Sequence, residues 1–246
     1  MYLNEIHEKM IDFRTKLEKI KKGENIKWYP YEILSGIDHI NNMLTNENRG
    51  IFSTITNKHI ADIGTADGDM GYFFESMGYD VDLIDCEPPN YNKMQGVRKL
   101  KELLNSNADI YNIDLDSQFK LPKKNYELII FMGILYHLKN PFYVLEQLAY
   151  SSKYLILSTK IAKFTPDNSV CYKDFPMAYL VGAEESANGD STNYWIFSEN
   201  GLRRILQRTH WDILDLMTVG DTKKSDPITT EHDERAFCLL KSRCFE

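Results

Sequence analysis

Apolar residues recur at Leu3, Ile6, Met10, Phe13, Leu17 and Ile20, a three-and-four spacing that predicts one long amphipathic helix ending near Gly23. A second helical pattern covers about 32–44 through Ile33, Leu34, Ile37 and Ile40, after an aromatic-rich turn, Lys27-Trp28-Tyr29-Pro30. Residues 1–57 thus read as an N-terminal helical appendage, either a cap over a ligand cleft or a dimerisation segment. From residue 58 the pattern changes. Short apolar runs at 59–63, 80–84, 108–113, 127–131 and 154–158 alternate with helical stretches near 69–77, 92–104 and 142–150. Such alternation predicts right-handed βαβ crossovers and a parallel sheet covered on both faces. An irregular segment at about 160–197 follows, then a helix at 198–209 opened by Ser198. Strand patterns at 211–219 and 235–241 bring the expected total to seven.

Composition places this α/β chain among folded, water-exposed proteins. Of 246 residues, 43% are hydrophobic and 26% charged, which is outside the disordered class. No apolar run approaches the roughly 18 residues of a membrane span, and the charged amino terminus does not resemble a secretory signal, so a cytoplasmic location is expected. Cys86, Cys171, Cys238 and Cys244 lack metal-ligand spacing and are expected as reduced, mostly packed thiols. The net charge of −7 weighs against a nucleic-acid substrate. The basic runs at 16–27 and 203–208 fall in helical patterns and are expected as solvated faces.

The candidate chemistry begins where the first strand runs into Asp62-Ile63-Gly64-Thr65-Ala66-Asp67-Gly68-Asp69. Gly64 and Gly68 sit where the chain must turn from strand to helix and where a ligand can approach the backbone. The GxxxG spacing is neither the dinucleotide fingerprint nor a phosphate-binding loop. Asp62, Asp67 and Asp69 would repel a pyrophosphate and suit a cationic ligand such as a sulfonium with an α-amino group. Asp85 closes the second strand, where a carboxylate can accept both ribose hydroxyl protons. Asp114 and Leu115 close the third, suiting an adenine amine and ring face. Met132 closes the fourth, and Thr65 completes the candidate set.

At these residues the sequence resembles the class I S-adenosylmethionine-dependent methyltransferases from about residue 58 to the end. The resemblance implies the Rossmann-like seven-stranded methyltransferase sheet with an antiparallel last strand, and S-adenosylmethionine bound through Gly64, Asp85 and Asp114. Within that superfamily Met132, Gly133, Leu135, Tyr136 and His137 match the Met-Gly-x-Leu-Tyr-His core of the branch containing the tRNA wobble-uridine carboxymethyl-transferring enzymes. Thr229, Thr230, Glu231 and Arg235 echo a later stretch of it. That branch uses carboxy-S-adenosylmethionine, whose extra carboxylate calls for a cationic partner. This chain departs from it after the histidine, with Leu138 before Lys139.

His137 is the candidate general base, by its near-neutral ordinary pKa, with a structural histidine as the alternative. Tyr136 can hydrogen-bond donor or acceptor, or simply pack. The acceptor candidates are Tyr172, Asp174, Asn193, Tyr194 and Trp195 in the insertion, with Arg235 beyond it. In that insertion Asp167, Asp174, Glu184, Glu185 and Asp190 face only Lys173, and their spacing specifies no metal site. Aromatics mixed with amides and carboxylates suit a small polyhydroxylated acceptor such as a sugar or sugar nucleotide. Three functions stand at this point: O-methylation of such an acceptor, wobble-uridine modification of tRNA, and a catalytically silent cofactor-binding partner subunit. A homodimer is compatible with each.

Overall fold

The computed structural model describes residues 3–55, 59–185 and 190–245, with side chains from residue 5 onward. The expected domain boundary at 57/58, residues 186–189 of the expected insertion, and the Leu3 side chain lie outside the described residues. The chain divides into two compact units, residues 1–130 and 131–246.

The first unit opens with α1 (Leu3–Lys22), α2 (Gly36–Met43) and the single turn α3 (Ile51–Thr54). It continues through β1 (His59–Ile63), α4 (Asp69–Ser76), β2 (Asp80–Asp85), α5 (Gln95–Leu104), β3 (Asp109–Asn112) and most of β4 (Tyr126–Met132). These strands pair in the order β3-β2-β1-β4, every pair parallel. The apolar stripe of α1 is the reason it docks. Ile6, Met10, Phe13 and Leu17 are all buried, and Phe13 meets Phe73 of α4 with ring centroids 5.7 Å apart. Each such side chain contributes about 1.5–3 kcal/mol before ordering costs. The N-terminal helices are therefore part of the body of this unit.

Three expectations are corrected here. The basic run at 16–27 is not wholly a solvated face, because Lys21 turns inward onto Asp67 and Asp69. The second helix starts four residues late: Ser35 donates its hydroxyl and its N–H to Glu32, closing a turn ahead of the helix. α5 starts at Gln95 because Lys93 and Met94 hold φ values of 55° and 59°, which no helix accommodates.

The second unit contains the end of β4, a 3-10 turn at Leu135–His137, α6 (Pro141–Ala149), β5 (Ser152–Ile161), β6 (Ala178–Leu180) and β7 (Trp195–Phe197). It ends with α7 (Glu199–Arg208), β8 (Trp211–Gly220) and β9 (Glu234–Ser242). The last strand, β9, lies antiparallel between β5 and β8, as the resemblance implied. Nine strands occur among the described residues where seven were expected. The two additional ones, β6 and β7, fall in the segment expected to be irregular: β7 pairs parallel with β5, and β6 antiparallel with β7. β5 is also twice its expected length. Its polar continuation past the expected end at Ser158, Thr159-Lys160, is buried and paired with β9 out to Ile161↔Glu234.

No helix among the described residues is long and apolar enough to cross a membrane. All four cysteines are free thiols; Cys238 is buried and Cys171 exposed.

Ser198 joins the new strands to α7. Its hydroxyl accepts from Gly201 N at 2.9 Å and Met177 N at 3.2 Å and donates to the Phe175 carbonyl at 2.5 Å. Losing a buried cap with three partners leaves donors unsatisfied. Ser198→Ala is expected to lower unfolding free energy by about 1–2 kcal/mol with an unchanged denaturant slope, measured by urea titration.

Candidate functional site

In the first unit the candidate cofactor residues gather at the carboxyl ends of β1, β2 and β3. Gly64 N donates to the Ile84 carbonyl at 2.8 Å, pinning the turn after β1 to β2. Gly68 has φ 90°, and a Cβ there would meet the Tyr72 ring at 2.5 Å, so only glycine fits the N-cap of α4. Asp62 does not point outward: its Oδ2 accepts from Thr65 Oγ1 at 2.7 Å and Gly71 N at 3.0 Å, bracing the turn from below. Asp85 Oδ2 accepts from Ala66 N at 2.8 Å and Asn90 Nδ2 at 3.0 Å, while Oδ1 accepts from Cys86 N at 2.7 Å. Two oxygens with three donors keep acceptor capacity for a hydroxyl. Asp114 is exposed, two residues past β3, with Leu115 buried beside it.

Asp67 is bound up otherwise than expected. It is 1% exposed; its Oδ2 accepts from Tyr29 N at 2.7 Å and Lys21 Nζ at 3.4 Å, and its Oδ1 from Asn92 Nδ2 at 2.7 Å. Asp69 takes Lys21 Nζ on both oxygens at 2.7 and 2.8 Å. Lys21, Asn90 and Asn92 escape sequence reasoning. The only signal is the turn-forming run Pro88-Pro89-Asn90-Tyr91-Asn92 after the second strand.

Burial dominates the electrostatics. Desolvation pushes the Asp62 carboxyl up to about 7 against hydrogen bonds from Thr65 and Gly71 that favour its charged form, with Asp85 and Asp69 adding repulsion. Desolvation likewise raises Asp85 and Asp69 above the ordinary carboxylate range. Within the protein the cation that answers this crowding is Lys21, on Asp69 and Asp67.

The second unit carries the candidate base and acceptor groups. His137 Nδ1 lies 2.9 Å from Thr192 Oγ1 and 3.3 Å from the Thr192 carbonyl. The Thr192 hydroxyl in turn donates to Asp190 Oδ1 at 2.5 Å. Nδ1 is thereby assigned the proton, and Nε2 keeps its lone pair. Burial lowers the His137 pKa, opposed by the Asp190 charge and the Thr192 contact.

Around Tyr136 the acceptor candidates partly assemble. Tyr194 N donates to the Tyr136 carbonyl at 2.7 Å, the Arg235 guanidinium lies 5.7 Å from the Tyr136 ring centroid, and Tyr136 packs on the buried cluster of Ala162, Tyr172, Val181 and Ile196. The buried Tyr172 hydroxyl and Asn193 Oδ1 have no partner among the described residues. Such orphans are costly unless something polar reaches them. Desolvation pushes the Tyr172 hydroxyl far above its ordinary pKa, leaving it a proton donor. Asp174 does not join this group and is exposed. Trp195 donates Nε1 to the Lys139 carbonyl at 3.2 Å and lines a groove of about 510 Å³ with Phe142, Phe197 and Ile205. Met132 ends β4.

No family model matches this chain, and no curated protein matches it. Solved structures do. The N-terminal domain of EvdMO1 with SAH (S-adenosylhomocysteine) bound aligns at TM-score 0.59 and 15% identity, covering 94% of this chain and 97% of that one. The same domain in the presence of SAH and D-fucose aligns at TM-score 0.60 and 14% identity, with the same coverage. An S-adenosylmethionine-dependent methyltransferase from Clostridium acetobutylicum aligns at TM-score 0.53 and 9% identity, covering 86% of this chain and 99% of that one. The fold is therefore the Rossmann-like α/β fold of these methyltransferases.

The raised Asp62 pKa has a consequence for stability. Between about pH 4 and 7 the folded protein holds a proton that the unfolded chain, titrating near 3.8, has released. This contribution is complete below the unfolded pKa and is lost as pH rises toward 7. Asp62→Asn keeps an acceptor for Thr65 and Gly71 and is expected to flatten the decline, read from urea midpoints at pH 5 and pH 7.5.

Proposed function

We propose that the chain is an S-adenosylmethionine-dependent methyltransferase acting on a hydroxyl of a small polyhydroxylated acceptor, a sugar or sugar nucleotide. The observation that carries the donor assignment is the Asp85 carboxylate at the end of β2, beside the Gly64–Gly68 turn, which keeps acceptor capacity beyond its three donors. Ribose hydroxyls match that capacity, whereas a pyrophosphate would be repelled. The donor, when bound, supplies an electrophilic methyl group. In this reading Asp85 takes the ribose hydroxyls, Asp114 and Leu115 the adenine, and the Gly64–Gly68 turn, with Thr65 in it, lets the donor approach the backbone; Met132 closes β4.

Methyl transfer to a hydroxyl needs the oxygen aligned and its proton removed. His137 fits that task. Its Nδ1 is held by Thr192 and Asp190, its Nε2 keeps a lone pair with which to accept, and burial keeps it neutral near pH 7. The Tyr172 hydroxyl can donate to an oxygen of the acceptor, and Asn193 Oδ1 can accept from a hydroxyl. The charges of Asp190 beside His137 and Asp226 beside Tyr172 disfavour an anionic acceptor, which favours a free sugar over a sugar nucleotide. A structural relative studied in the presence of D-fucose agrees with a sugar acceptor.

A competing reading is wobble-uridine modification of tRNA with carboxy-S-adenosylmethionine. Its support is the Met132–His137 motif and the Arg235 guanidinium beside Tyr136, a cation that could meet a carboxylate. Mass spectrometry of small molecules released by denaturing the purified protein separates the two. S-adenosylmethionine or S-adenosylhomocysteine is expected; carboxy-S-adenosylmethionine, or a firm shift of total tRNA at moderate salt, would overturn the small-acceptor reading.

His137→Ala is expected to lower kcat about 10²–10⁴-fold while donor affinity holds. Since the His137 pKa is lowered from 6.5, the acid limb of kcat should fall below that value. Asp190→Asn removes the charge that opposes the lowering, so the limb should move further toward acid in a pH–rate profile.

A further inference from the structure

A continuous chain of polar contacts runs from α1 into the candidate donor site, entirely within the first unit. Lys21 Nζ, on the last turn of α1, binds both oxygens of Asp69 and reaches Asp67. The Tyr29 N–H donates to Asp67 at 2.7 Å, and the Trp28 indole N–H donates to the Lys21 carbonyl at 3.0 Å, folding the segment after α1 back onto the helix end. On its other side Asp67 accepts from Asn92, whose Nδ2 also reaches the Lys27 carbonyl at 3.2 Å and whose Oδ1 accepts from Gly96 N at 3.1 Å. Asn90 Oδ1 accepts from the Asn92 N–H at 3.2 Å, and Asn90 Nδ2 donates to Asp85 at 3.0 Å. Asp85 closes the circuit by accepting from Ala66 N, one residue before Asp67.

The fit is close. A Cβ on Gly96 would overlap Asp67 Oδ1, so the start of α5 is packed directly against this carboxylate. Lys21 is only 19% exposed and Asp67 1%, so neither is a surface pair whose attraction water would screen. Removing one partner would leave the other charged group buried and uncompensated.

We infer that Lys21 and Asn92 are positioning residues for the methyl donor: acting through Asp67 and Asn90, they hold the turn after β1 and the Asp85 carboxylate in register. The inference rests on the donor assignment proposed above. The segment from Lys21 to Tyr29 is then a working wall of the donor pocket. Its amide and ammonium groups occupy Asp67 and Asp69, leaving Asp85 to face the ligand's ribose. Because the circuit is closed, a ligand that tightens Asp85 must also tighten Asp67 and the Tyr29 amide.

The test uses the full chain and S-adenosylhomocysteine as probe. Lys21→Met, which keeps the stem and removes the charge, is expected to raise the calorimetric dissociation constant about tenfold or more, through lost preorganisation. Lys21→Arg, which restores a cation, should return it to within about threefold of the parent. Independently of any variant, the probe should slow hydrogen exchange at the Tyr29 amide of the parent protein. A Lys21→Met protein that melts cooperatively and binds as the parent does, or a Tyr29 amide indifferent to saturating probe, overturns the inference. If Lys21→Met does not fold, the exchange result alone decides. A parent protein that fails to bind the probe removes the donor reading itself, and the positioning role with it.

Discussion

Burying the Asp67 carboxylate is the constraint on which the organisation of the first unit turns. Taking a carboxylate out of water costs several kcal/mol unless charge and hydrogen bonds replace the lost hydration. Here they come from three separate places: the end of α1, the backbone at Tyr29 and the loop before α5. One residue in a strand-to-helix turn thus ties together segments 46 and 25 positions away in sequence. The apolar stripe of α1 supplies the adhesion; the ion pair determines where along α4 and the turn that helix must end.

The second unit solves a related problem around β5. Its polar terminal residues are carried into the interior by pairing with β9, and each needs a partner there. Lys160 reaches the Thr229 carbonyl at 3.2 Å and Asp233 at 3.4 Å, and the fully buried Glu234 takes Lys163 and Ser225 on its two oxygens. Desolvation lowers the Lys160 pKa despite Asp233. Asp226 caps its own loop, accepting from Ile228 N, Thr229 N and Thr229 Oγ1. The polar residues that make the 220–234 stretch look like an ordinary surface loop therefore serve β5 and β9. Against this satisfied background the unpaired Tyr172 hydroxyl and Asn193 Oδ1 stand out.

Chemically the two units present different groups. The first presents the Asp85 carboxylate, with acceptor capacity to spare, beside carboxylates that are satisfied internally. The second presents a neutral histidine with one nitrogen tied to Thr192 and uncharged groups suited to hydroxyls.

Much of this was determined by sequence alone. Period-3.6 and period-2 apolar spacing located α1, α4, α6, α7 and the strands β1 to β5, β8 and β9, because burial of one face is a local property of residue order. The Gly64–Gly68 turn and Asp85 were legible for the same reason: strand-to-helix turns need glycine, and strand ends in a parallel sheet face ligands. What only tertiary structure decided is which polar groups are consumed internally. Asp67 and Asp69 read as ligand groups, yet Lys21, 46 and 48 residues away, occupies them. Lys21 itself reads as a solvated helix residue. β6 and β7 escaped notice because three-residue strands carry too few positions to show a period, and they exist only through pairing with each other and with β5. Periodicity reports how much of a residue is buried, but a hydrogen bond or ion pair depends on which distant group arrives, and the fold alone specifies that.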